Sequence, residues 1–280
     1  MARVIGVYNC KGGSTKTFTV LSLAVGLANK GKKILIIDND PQGNTSYKFF
    51  IDYESMKGLN DVIMGNCKLE DVIYKTKINN IDLVPSNMDL EILGIPMLNA
   101  KSDREFLKRQ IKDVKEKYDY ILFDNNPSYH IFLYNLVFCC DWILIPINVD
   151  KNSSKGVDMT VDRIIETINS TSADVNVEFK VLITKLARTK RSKEFAEAVK
   201  NKWQDLVLDT IIRLQSNPAD MQTTEDDYFA VNYALPHKDP EIYIDNNTGE
   251  ERIKTFKTNL GTDYLDLIDE IENKFSTRGR

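Results

Sequence analysis

The stretch Val4-Ile-Gly-Val-Tyr-Asn-Cys-Lys-Gly-Gly-Ser-Thr-Lys-Thr17 constrains this chain more than any other. Val4 to Tyr8 is an unbroken apolar run and reads as a buried strand. A glycine turn follows, and then Lys16-Thr17 open an amphipathic run through Val20, Leu21, Leu23, Ala24 and Leu27. Strand, glycine turn, Lys-Thr and helix make the layout of a phosphate-binding loop. In that layout the backbone N–H groups and the helix N-terminus face an anion. Lys16 reaches the outer phosphates, and the Thr17 hydroxyl ligates magnesium. The strict pattern asks for glycine at positions 10 and 15, where Cys10 and Thr15 stand. A β-branched residue just before the lysine is expected to clash with phosphate or to shift the loop. A plain strand–helix turn with surface lysines is the alternative that the motif alone leaves open.

The second informative stretch is Lys33-Ile-Leu-Ile-Ile-Asp38, a further buried strand, which runs into Asp38-Asn-Asp-Pro-Gln-Gly-Asn44. Ligands of doubly wound sheets bind beyond the carboxyl ends of the strands, so these acids are expected beside the phosphate loop. There a carboxylate can hold magnesium-bound water or orient the water that attacks a γ-phosphate. Asp, Asn, Pro and Gly are also turn formers, and a tight turn is the simpler reading of the same residues. Further strands are expected at Ile81–Asn87, Tyr118–Asp124, Asp141–Ile147, Val177–Lys185 and Leu206–Arg213. Helices are expected between them, including residues 103–117, 129–140, 155–168 and 192–203. This alternation predicts one α/β domain over residues 1–280, with a mostly parallel, doubly wound sheet covered on both faces.

Composition narrows the class. The chain has 280 residues, 42% of them apolar and 28% charged, which excludes wholesale disorder. No apolar run approaches the ~20 residues that span a bilayer. Arg3 leads directly into the first strand, so no leader is expected. Cys10, Cys67, Cys139 and Cys140 lack metal-ligand spacing and read as reduced thiols of a cytoplasmic protein. Two histidines make a His-based metal site or triad improbable, and a net charge of −4 argues against a strongly basic nucleic-acid binder.

The spellings Lys11-Gly-Gly-x-x-Lys-Thr17 after Asn9, Asp38-x-Asp-Pro-Gln-Gly-Asn44 and a strand ending in Asp124 follow one another in order. Together they resemble the ParA/MinD family of ATPases with a deviant phosphate loop. The resemblance covers about residues 1–216 and the last helix. It implies ATP and Mg2+ as ligands. Lys11, Gly12, Gly13, Ser14, Thr15, Lys16, Thr17 and Phe18 would hold nucleotide, and Thr17, Asp38 and Asp124 would serve magnesium. Asp40 would orient the attacking water, and Lys11, Lys16 and Asp40 would carry catalysis. Thr184, Lys185 and Arg213 stand where relatives line the adenine pocket. The family continues Asp-x-Pro-Pro-Ser where this chain has Asp124-Asn-Asn-Pro-Ser128, so Asn126 frees a backbone that proline would fix.

The resemblance further implies an ATP-dependent homodimer, in which Lys11 reaches the partner's phosphates. It implies nonspecific DNA binding at the nucleoid and a ParB-like centromere-binding partner that stimulates hydrolysis. Lys185, Arg188, Lys190 and Arg191, in a basic cluster with Lys193, are candidates for DNA phosphates; a merely solvated face is the alternative. No extra N-terminal DNA-binding segment is read, so promoter repression is not expected. A hairpin insertion is expected near residues 240–256, turning at Asn247-Thr-Gly249. A closing helix is expected over 262–275; its acidic residues make stable membrane association, as in a MinD-like cycle, unexpected. A non-hydrolysing nucleotide-sensing scaffold is the other alternative.

Overall fold

The computed structural model describes residues 1–90, 105–127, 131–149, 153–170, 175–214, 241–244, 251–254 and 259–277. Eight strands form one sheet: β1 (Arg3–Val7), β2 (Ile34–Asn39), β3 (Tyr74–Lys75), β4 (Ile81–Val84), β5 (Tyr120–Asn125), β6 (Trp142–Asn148), β7 (Glu178–Leu186) and β8 (Val207–Arg213). Their order is β3-β4-β2-β5-β1-β6-β7-β8, parallel throughout except for β3 against β4. β2 and β5 are buried at every position, as strands covered on both faces must be. This is the doubly wound, mostly parallel sheet expected from the alternation of elements.

The helices are α1 (Lys16–Asn29), α2 (Asn44–Phe49), α3 (Leu59–Ile63), α4 (Phe106–Lys112), α5 (Ile131–Cys139), α6 (Ser153–Asn169), α7 (Lys190–Trp203) and α8 (Asn259–Thr277). One core layer packs α1 and α8 on the sheet, through Val20, Leu23, Leu27, Tyr264, Ile268 and Phe275. The other face is covered through residues of α3, α4, α5, α6 and α7, including Leu107, Leu136, Val161 and Val199. Phe275 stacks on Trp142 with ring centroids 4.3 Å apart, which pins the end of α8 to β6. The four cysteines are free, and no described helix is long and apolar enough to cross a membrane.

Three elements differ from the sequence expectation. The helix expected over 103–117 is, within the described residues, only Phe106–Lys112. Beyond it, Ala2 N–H donates to Lys115 O and Arg3 N–H to Asp119 O, so the start of β1 captures the chain. The helix α2 was not expected, because Asn44-Thr-Ser-Tyr-Lys-Phe49 is poor in helix formers. It forms because Gly43 turns the chain at φ 59° and Ser46 is tethered to Asp38. A Cβ on Gly43 would meet Ser86 O at 2.9 Å, so this turn needs glycine. The edge strand β3 spans only two residues, too few to show periodicity. Separately, β9 (Glu241–Ile244) pairs antiparallel with β10 (Glu251–Lys254), as the hairpin reading expects. Its turn at 247–249, and Ser128, lie outside the described residues.

Candidate functional site

The phosphate loop connects β1 to α1, and its end is an unusual backbone. Gly13 has φ 70° and Thr15, the residue before α1, has φ 64° and ψ 18°. A β-branched residue in the left-handed region is strained by about 1–2 kcal/mol, so its neighbours must hold it there. Thr15 Oγ1 donates to Ser14 O at 2.6 Å and lies 3.2 Å from Thr184 Oγ1 at the end of β7. Thr184 Oγ1 in turn lies 2.9 Å from Asn148 Oδ1, and Asn148 Nδ2 donates to Gly13 O at 2.7 Å. Thr15 is thus held in a left-handed turn by a set of hydroxyl and amide struts.

The loop's other end is also anchored. Asn9 is buried; it donates to Pro146 O, and its Oδ1 accepts from Lys11 N–H. Thr160 of α6 reaches both Asn9 Oδ1 and Cys10 N–H at 3.2 Å. Lys11 packs beside Gly156 of α6, where an added Cβ would make an ordinary contact 3.6 Å from Lys11 Cδ.

A cavity of about 620 Å³ opens at the carboxyl ends of the strands. It is lined by the loop from Gly12 through Phe18, and by Asp40, Gln42, Asn44, Asn126, Pro127 and Lys185. Lys16 is buried, and its Nζ lies 3.4 Å from Lys11 O. Burial lowers its pKa, while the charges of Asp124 and Asp40 act in the opposite sense.

Behind the cavity, Asp38 and Asp124 sit side by side on paired strands, both fully buried. Asp38 Oδ2 accepts from Ser46 N–H at 2.8 Å and Ser46 Oγ at 2.6 Å, and its Oδ1 accepts from Asp40 N–H at 3.2 Å. Burial, then the charge of Asp124, hold the Asp38 carboxyl well above the usual range despite these donors. Burial pushes Asp124 up to about 6, while the nearby Thr17 and Thr45 hydroxyls favour its charge. Thr45 Oγ1 donates to Asp124 Oδ2 at 2.8 Å, but Oδ1 has no hydrogen-bond partner among the described residues. A buried carboxylate oxygen left open beside Thr17 fits a hydrated divalent cation.

Of the sequence candidates, Gly12 through Phe18, Asp40 and Lys185 meet at the cavity, and Thr17 and Asp124 meet at its base. Asp38 lies one layer behind, committed to Ser46 and Asp40. Thr184 touches the loop through Thr15 and does not line the cavity. The structure does not bring Arg213 to the cavity. Its Nε and Nη2 instead bond Asp263 of α8, because that nearly buried carboxylate needs a partner. Arg188, Lys190, Arg191 and Lys193 are exposed around the start of α7, away from the cavity lining. Sequence reasoning missed Asn148, Thr45 and Ser46. Asn148 ends an apolar strand with no motif around it, whereas Thr45 and Ser46 directly follow the Asp-Pro-Gln-Gly-Asn turn and could have been flagged.

The phosphate loop at the head of α1, facing acidic strand ends across a parallel sheet, defines a P-loop nucleotide-binding fold. A family profile described as an AAA domain matches residues 2–181. The sporulation initiation inhibitor protein Soj of Bacillus subtilis is 30% identical over 214 residues, covering 76% of this chain and 84% of Soj. The chromosome-partitioning ATPase Soj of Treponema pallidum is 29% identical over 217 residues, covering 76% and 83%. A plasmid partition protein of Borrelia burgdorferi, solved with AMPPNP, superposes with a TM-score of 0.71 at 20% identity, covering 98% of this chain and 99% of that one. The chain belongs to the ParA/MinD-type ATPases.

Proposed function

We propose that this protein is a DNA-partition ATPase that binds Mg2+·ATP in the loop cavity and cycles between assembly states by hydrolysing it. The observation that carries the reading is the buried Asp124 Oδ1, without a hydrogen-bond partner among the described residues, behind a cavity that presents Lys16, Thr17 and Asp40. Thr17 and Asp124 would hold the cation, which supplies charge neutralisation between phosphate oxygens. Asp38 supports that arrangement from behind, through Asp40 N–H and Ser46. The N–H groups of residues 12–17 and the buried Lys16 ammonium cradle phosphate, and Phe18 and Lys185 border the same cavity. Asp40 orients the attacking water from the opposite wall.

Lys11, half-buried and preceding the cavity-lining Gly12, would reach the phosphates of a second subunit, which couples nucleotide to homodimer formation. The exposed Arg188, Lys190 and Arg191 would take DNA phosphates, and Lys185 stands between that cluster and the cavity. Three of the cluster's cations crowd the first turn of α7, where the helix dipole disfavours positive charge, so the arrangement does not serve helix stability. A ParB-like partner would reset the dimer by stimulating hydrolysis.

The test combines titration calorimetry with steady-state hydrolysis. Mg2+·ATP binds the wild-type protein, and Lys16→Ala abolishes binding. Asp40→Ala binds but does not turn over. No binding by the wild type overturns the reading. Binding without turnover replaces it with a nucleotide-sensing scaffold.

A further inference from the structure

Asp40 is held by its surroundings in an uneven way. Its backbone N–H donates to Asp38 Oδ1, and its carbonyl accepts from Ser86 Oγ at 3.0 Å, so the main chain is fixed. Oδ1 accepts twice, from Gln42 N–H at 3.0 Å and from Asn126 Nδ2 at 3.2 Å. Among the described residues no donor reaches Oδ2 of this nearly buried carboxylate. Asn126 follows β5 and lines the same cavity wall as Asp40. Only the NH2 end of its amide can face a carboxylate, so its orientation is fixed by charge.

We infer that Asn126 is a positioning residue for hydrolysis: its amide clamps Asp40 Oδ1 and so leaves Oδ2 aimed at the water. The inference rests on the ATPase reading above. A proline at this position, as the motif would have it, has no side-chain donor. Asn126 therefore adds a link between the loops after β2 and β5 as well as freeing the backbone. The clamp acts on geometry at the reacting centre, where small misplacements reduce rate with little effect on binding.

The experiment measures kcat and the ATP dissociation constant for Asn126→Ala and Asn126→Asp, beside wild type and Asp40→Ala. Asn126→Ala is expected to lose roughly tenfold in kcat while the dissociation constant stays within about twofold. Asn126→Asp keeps the volume but replaces the amide donor with an acceptor. Its kcat falls at least as far, because a second carboxylate repels Asp40 Oδ1 instead of donating to it. A space-filling Asn126 would leave Asn126→Asp as active as wild type, which overturns the inference. Wild-type kcat in both variants, or losses confined to ATP affinity, overturns the inference while leaving the ATPase reading intact. A wild-type protein that binds ATP without turnover removes both.

Discussion

Thr15 Oγ1 lies 3.2 Å from Thr184 Oγ1, and this contact ties the phosphate loop to the end of β7. Asn148 continues the tie back to Gly13 O, so the left-handed Thr15 turn is held from two strands. The residue that departs most from the phosphate-loop pattern is thus the one with dedicated support.

Two substitutions separate strain from support at Thr15. Thr15→Gly removes strain of about 1–2 kcal/mol but loses a hydroxyl bond worth about 1 and adds chain entropy of about 0.5–1. These offset, and the melting temperature should move by less than about 2 °C. Thr15→Val keeps the strained β-branch and strips Thr184 of its neighbour, so the melting temperature should fall by about 3–6 °C. Thermal melts without nucleotide test this; equal melting temperatures for Thr15→Val and wild type would remove any role for the hydroxyl.

Asp124 makes the free protein pH-sensitive. An acid whose pKa is raised on folding is fully stabilising below its unfolded value, and that contribution is lost as pH rises through the folded value. For Asp124 the window runs from about 3.8 to about 6. Asp124→Asn should therefore melt close to wild type near pH 3.5 and clearly above it near pH 7.5. The same variant loses magnesium-dependent nucleotide binding, a stability gain at the expense of function. A stabilisation that does not grow with pH would show that Asp124 carries no buried charge.

Much of this architecture was legible because the strands are uninterrupted apolar runs that end in chemically specific residues. The apolar run Ile34 to Ile37 reads as a strand buried on both faces, and its end delivers Asp38 and Asp40 to the site. What escaped the sequence depends on contacts distant along the chain. Arg213 reads as a cavity residue by its place at a strand end, yet Asp263 captures it across 50 positions. Asn126 reads as a lost proline, and only the fold places its amide against Asp40. The helix α2 runs against local propensity because a buried carboxylate holds Ser46.

Arg213 gives a direct contrast between those two sources. Its side chain and its own backbone N–H both bond Asp263, which is 5% exposed at its side chain. Arg213→Ala strands that carboxylate with the backbone donor alone, and should cost on the order of 2 kcal/mol, a fall of several degrees. Adding Asp263→Asn should restore part of the loss, and ATP affinity should stay unchanged throughout. Weaker ATP binding with an unaltered melting temperature would instead return Arg213 to the nucleotide site.

The basic residues at the start of α7 make a prediction that charge alone decides. Each phosphate contact releases counterion, so log K against log salt falls by about 0.9 per contact on duplex DNA. Arg188→Ala, Lys190→Ala and Arg191→Ala together should weaken ATP-dependent DNA retention at low salt and flatten that slope by up to about 2.7. Because the three residues are exposed and outside the cavity lining, ATP binding and turnover without DNA should match wild type. Duplexes of unrelated sequence should be affected alike, since phosphate contacts carry no base information. An unchanged slope would mean that DNA is held elsewhere, leaving this cluster as solvated surface.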